Sequence, residues 1–143
     1  MSVEVYLGEH TITLDVEDHF NIDEDNVDGG LCRAGTLLRF YGELAAEFMA
    51  QASRAKDDKE RMFAKVSLDT RAKLAESKEK VTEGIIRETV LISTEYIESQ
   101  EKHIQAERDY KKLDSFFRSQ QRKVDCLTAL AYKQRVEIQK NAF

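Results

Sequence analysis

No proline interrupts the 143 residues of this chain, and that absence constrains its fold more than any motif does. Proline is the strongest helix breaker, because it lacks the N–H and its ring collides with the preceding turn. A chain without it can run helices as long as its apolar pattern supports, and here the pattern supports long ones. From Leu31 to about Ser77, Ala34, Leu38, Tyr41, Ala45, Phe48, Ala52 and Ala55 recur at three- and four-residue spacing, and Met62 and Val66 continue the series. From Glu95 to about Gln139, His103, Tyr110, Phe117, Val124, Ala131 and Ile138 fall every seven residues. Ala106, Leu113, Gln120, Leu127 and Gln134 form a companion series, and Phe116 and Leu130 widen the stripe. This is a heptad-like seam that Gln120 and Gln134 make imperfect. Between the two stretches, Thr82 caps a short run with Ile85, Ile86 and Val90 facing inward, and Ser93 or Thr94 caps the second long helix.

Length then sets the architecture. A helix of about 45 residues is roughly 68 Å long, whereas a compact chain of this size has a radius of gyration of roughly 14–15 Å. The expected fold is mainly α: a long antiparallel helical hairpin or coiled-coil rod with its bend near residues 77–94. Two helices offer too few layers to bury both apolar stripes, so the fold is expected to be oligomeric.

The first residues follow a different period. Val3, Val5 and Leu7 alternate with Glu4 and Tyr6, and Ile12 and Leu14 alternate with Thr11 and Thr13, which is the strand signal. Gly8-Glu9 between them suits a two-residue type II′ turn. The register pairs Val5 with Ile12 and Val3 with Leu14 on one face, and Tyr6 with Thr11 and Glu4 with Thr13 on the other. A lone hairpin is marginal in water, so its apolar face needs a partner. The expected organisation is a hairpin and acidic linker over 1–30 and a helical body over 31–143. Asp25, Asn26 and Asp28 are possible caps for the first long helix.

The charge is laid out unevenly. Residues 1–32 hold nine acidic side chains and no Lys or Arg, so the net −5 divides into −9 for this arm and +4 for the rest. Residues 54–80 hold nine Lys or Arg against six acids, residues 102–140 ten against five, and residues 81–101 one against five. The arm is expected to be solvated first of all; packing on the basic helices, or competing with a polyanion for them, are the alternatives.

Several classes drop out. No run of about 18 apolar residues exists to span a membrane, and MSVEVYLGEH has neither the basic nor the apolar region of a secretory signal. Cys32 and Cys126 form no CxxC pair and read as reduced thiols of a cytoplasmic protein. Asp23 would open a calcium loop, but position five is Val27 and position six Asp28, where such a loop needs an oxygen ligand and glycine. There is no phosphate loop, GxSxG, HExxH or dinucleotide fingerprint, and His10, His19 and His103 are scattered. Neither an enzyme nor a cofactor is expected.

The basic clusters are more informative. Arg71, Lys73, Lys78 and Lys80 lie just before the bend, and Arg118, Arg122 and Lys123 follow on the last helix, flanked by Lys111, Lys112, Lys133 and Arg135. Such side chains bind polyanions by releasing counterions, with little sequence preference. Tyr96 is a candidate for stacking on bases, whereas Tyr110, Phe116 and Phe117 read as core. The plainer alternative is that these cations pair with Glu and Asp neighbours on their own helices.

The order of these features resembles the phage recombination mediator family of UvsY type. An acidic linker, Asn21–Asp28, precedes a helix with Leu37 and Tyr41. A basic-Ala-basic-Leu signature follows at Arg71-Ala72-Lys73-Leu74, then the Thr-Glu-Gly-Ile-Ile step at Thr82–Ile86. The tail, Ala106–Leu113 and then Arg122–Leu127, is similar to the family's final helix. The likeness spans roughly residues 21–135. The chain departs from the family in reversing Arg and Lys in the signature and in carrying the hairpin at 3–14. The resemblance implies single-stranded DNA binding, a ring-like homo-oligomer, and partnership with a RecA-like recombinase and a single-strand binding protein. It assigns DNA contact to Arg71 and Lys73; Lys78, Lys80, Arg118 and Arg122 join them by charge and position.

The functional expectation is therefore an oligomeric, non-enzymatic mediator that captures single-stranded DNA and helps load a recombinase. Two other classes fit the same pattern: a structural or assembly coiled-coil protein such as a phage scaffold or adaptor, and a small regulator whose acidic arm mimics nucleic acid.

Overall fold

The computed structural model describes residues 2–7 and 10–142. Strands β1 (Ser2–Leu7) and β2 (His10–Asp15) pair antiparallel. Four helices follow: α1 (Val16–Phe20), α2 (Val27–Glu76), α3 (Glu83–Leu91) and α4 (Thr94–Ala142). The strand register is the one the alternation dictates, with Val5 opposite Ile12 and Val3 opposite Leu14. Gly8-Glu9, the expected turn, lies outside the described residues. The fold is mainly α, and the two long helices pack against each other.

The helix ends have local causes. Asn26 accepts from the Gly29 N–H at 3.2 Å at the start of α2, and Thr82 accepts from the Ile85 N–H at 3.3 Å at the start of α3. Ser93 joins α3 to α4: its hydroxyl donates to the Val90 carbonyl at 2.6 Å and accepts from the Tyr96 N–H at 3.4 Å. At the end of α2, Glu79 N–H reaches the Leu74 carbonyl (3.2 Å) and Lys78 N–H the Ala75 carbonyl (3.3 Å). This paired closure needs one residue in the left-handed region, normally glycine. Here it is Lys78, at φ 57.

The chain forms two compact units. The first comprises Met1–Ala46 and Lys111–Phe143. In it Val27, Ala34 and Leu127 form a buried cluster, flanked by Ile22, Leu31, Val124, Leu130 and Ala131. The helices run antiparallel and close: a Cβ at Gly42 would stand 3.1 Å from the Phe117 ring, so glycine here lets the ring lie against the α2 backbone. Of the seam on α4, the companion series is its centre, since Leu113, Gln120 and Leu127 are each 0% exposed. Ile138, expected on the seam, is 68% exposed, because the last turns of α4 lie beyond the start of α2.

The acidic arm is not merely solvated. Asp15 caps a short helix, α1, that the charge-rich sequence concealed. Leu14 is buried. Phe20 packs on Tyr41 at 5.5 Å and on Phe116 at 5.9 Å between ring centres. Tyr41, itself fully buried, shares a 2.7 Å hydrogen bond with His19 Nδ1. Burying these rings outweighs the exposed carboxylates, which stay in water on the outer side.

The second unit, Glu47–Tyr110, holds the rest of α2, α3 and the first turns of α4. Phe63 meets Tyr96 edge-on at 5.7 Å, and Lys59 Nζ lies 3.3 Å from His103 Nδ1. Ile86 and Val90 are buried under α3. Ile85, expected to face inward with them, is 44% exposed: it sits one residue, about 100° of helical turn, from Ile86.

Candidate nucleic-acid interface

The clearest cationic feature of the first unit is on the solvent face of α4. Lys111, Ser115, Arg118 and Arg122 recur at four, three and four residues, the spacing that stacks side chains on one helix face. With Asp114 and Ser119 they line a shallow depression of about 320 Å³. Arg118 Nε donates to Asp114 Oδ2 at 2.9 Å. That pair uses one of five guanidinium N–H donors and is exposed, so it leaves most of Arg118 available to an anion. Arg122 makes no ion pair among the described residues. Sequence reasoning thus placed Arg118 and Arg122 together, and the structure adds Lys111 and two hydroxyls.

Lys123, which the sequence grouped with them, is not part of this surface. It is only 7% exposed and donates to the His19 main-chain carbonyl at 2.8 Å. Burial pushes its ammonium below the usual lysine range, with nearby Arg33 adding to the effect. Arg33 is likewise committed. It grips the Asp18 carboxylate, and that hydrogen bond lowers the Asp18 pKa and raises that of Arg33. These two cations fasten the arm instead of facing solvent.

In the second unit the four expected residues do not converge. Arg71 Nη2 donates to Glu83 Oε1 at 2.5 Å, linking the end of α2 to the first turn of α3. Lys73, two residues on, projects elsewhere, as residues two apart on a helix do. It lines a groove of about 350 Å³ with Asp69, Thr70 and Glu95. Lys78 sits at the left-handed residue and Lys80 in the exposed linker to α3. Among the described residues, Lys73, Lys78 and Lys80 form no ion pair.

Sequence reasoning passed over a larger feature of this unit. Arg54, Arg61 and Lys65 from α2, with Lys102 from α4, border a groove of about 600 Å³ that also carries Asp58, Glu95 and Glu98. The spacing of 54, 61 and 65 repeats that of 111, 118 and 122, and this periodicity was the available signal. Tyr96 is half-buried beside Phe63, so one ring edge is engaged; Lys59 and Glu60 complete a pocket of about 240 Å³ there.

Among the described residues, no group of three or more His, Cys, Asp or Glu could hold a metal ion. Cys32 and Cys126 are exposed free thiols. No described helix is long and apolar enough to cross a membrane. Compared with family models, curated proteins and solved structures, the chain matches none.

Proposed function

We propose that this protein is a non-enzymatic, oligomeric single-stranded DNA-binding mediator that helps load a RecA-like recombinase. The observation that carries the reading is the depression lined by Lys111, Arg118 and Arg122 on α4, where three cations and two serine hydroxyls face water with one carboxylate among them. Cations present bonding groups to phosphates without reading bases, which suits capture of any strand. Lys73, Lys78 and Lys80 add exposed charge, and Arg71 joins them only where a phosphate displaces Glu83. The ordered likeness of residues 21–135 to recombination mediators of UvsY type supports the same reading. So does the +4 balance that remains once the acidic arm is set aside. On this reading the protein works in the cytoplasm of a phage-infected cell, as a ring-like homo-oligomer alongside a single-strand binding protein. Repetition of a modest site around the ring multiplies its affinity.

A salt titration of oligonucleotide binding tests it. The logarithm of affinity should fall with the logarithm of salt by about 0.7 for each phosphate neutralised. Arg118→Ala with Arg122→Ala should reduce that slope by about 1.4 if each arginine meets one phosphate, with the assembly mass unchanged. No binding at low salt would sink the proposal.

A second reading, an assembly or scaffold protein built on helical association, is favoured by a different observation. Eight of the eleven large apolar side chains exposed among the described residues fall within Glu47–Tyr110, Ile92 at 78% and Leu68 at 67% among them. Contiguous patches of such side chains mark protein contact surfaces, and an assembly would cover these. This reading predicts an oligomer with no affinity for DNA.

A further inference from the structure

The 600 Å³ groove of the second unit has walls of opposite sign. The α2 wall presents Arg54, Arg61 and Lys65; Asp58 on the same wall is held by Arg61 at 3.5 Å. The α4 wall presents Glu95 and Glu98, with Lys102 at its far end. All of these charged groups are exposed, and half-buried Met62 lies between the walls. A nucleic-acid strand lying here would meet two carboxylates at close range, so a polyanion is a poor occupant. The groove suits a helical layer whose own charges run the opposite way across it.

A second copy of the chain is such a layer. Within this unit α2 and α4 run antiparallel, since Phe63 meets Tyr96 while Lys59 meets His103. A two-fold axis parallel to the helices stacks α2 of one copy on α4 of the other. Arg61 and Lys65, level with Glu98 and Glu95 in this register, then face those carboxylates twice over, while Arg54 and Lys102 lie toward the other end of the groove. A two-fold axis perpendicular to the helices would instead set α2 on α2 and cations on cations. We infer that this groove is a self-association surface, closed by a second copy in a local four-helix arrangement with α2 over α4. Exposed ion pairs contribute little affinity individually. Their work here is to choose the orientation, as flanking charges do in coiled coils, while Met62 and the aliphatic stems of the arginines and lysine supply the buried area. An isologous contact of this kind is self-limiting. It pairs two copies and does not by itself close a ring, so it is one contact of the self-association that the strand-capture reading calls for; its test reads mass and not DNA, so either can fail alone.

The test is a charge exchange followed by sedimentation equilibrium, with far-UV circular dichroism to confirm that each variant is folded. Wild type should show at least twice the 16.5 kDa chain mass. Glu95→Lys with Glu98→Lys, and separately Arg61→Glu with Lys65→Glu, should each halve that mass. Mixing the two variants should restore it, because each then offers the wall the other lacks, and the combined four-substitution protein should restore it alone. A wild-type monomer, variants of unchanged mass, or recovery on mixing Glu95→Lys/Glu98→Lys with wild type and not with the other variant would each overturn the inference. The last result would assign the contact to like walls.

Discussion

The Lys123 ammonium donates to the His19 main-chain carbonyl at 2.8 Å, across 104 residues of sequence. His19 lies in the last turn of α1, where carbonyls lack partners within the helix and a cation is favoured. Lys123 thus closes the end of α1 and ties the arm to α4. Lys123→Met keeps the aliphatic stem and removes the donor. It should cost about 1–3 kcal/mol of stability, read by urea unfolding, and should speed amide exchange in residues 11–20 more than in α3.

Tyr41 makes the first unit sensitive to alkali. Burial, with a contribution from Asp15, raises its phenol pKa from 10.0 to about 12. A folded phenol that holds its proton while the unfolded one has lost it gives U fewer bound protons than N, so stability falls as pH rises between 10 and 12. Lys123 acts in the opposite direction, its folded pKa being lowered, but its effect is complete once pH exceeds the unfolded lysine value of about 10.4. Unfolding free energy should therefore drop by about 1–2 kcal/mol across the upper part of this range, less than a full two-unit shift would give because the contribution of Lys123 offsets its beginning. Tyr41→Phe should flatten that decline.

Lys78 occupies a left-handed position that costs a side-chain-bearing residue about 1–2 kcal/mol. Lys78→Gly removes that strain but frees the unfolded chain by roughly 0.4–1 kcal/mol. The net expectation is a gain near 0.5–1 kcal/mol, or about 2–4 °C in melting temperature. Lys78→Ala, which loses the same charge but keeps Cβ, should show no such rise.

Gln120 is fully buried, and neither its Nε2 nor its Oε1 has a hydrogen-bond partner among the described groups. Gln120→Leu preserves volume and removes the desolvation penalty, so stability should increase by about 1–3 kcal/mol. A decrease in the chemical unfolding assay would show that the amide is satisfied.

The helices were legible because their signals are local and repeated. Absence of proline, three-and-four spacing and the caps Thr82 and Ser93 placed each long element within a few residues, and strand alternation fixed the hairpin register. The arm's docking was not legible. It depends on His19 and Lys123, and on Phe20 and Phe116, pairs whose members say nothing of each other in a linear pattern. Lys123 illustrates the limit for the candidate site: it has the charge of Arg122 beside it, but one helical step of about 100° turns it from water to the interior. Arg118 and Arg122 were readable as neighbours because four residues separate them. Arg71 and Lys73 diverge because only two do.

The bond between His19 and Lys123 also has a consequence for synthesis. At about 5–20 residues per second, the ribosome needs roughly 5–20 s after making His19 to deliver its partner. Through most of that interval Phe20 is already made while its partner on α4, Phe116, is not. The arm therefore waits for most of α4 to be made before it can dock, and its fold cannot close cotranslationally on the residues next to it in sequence.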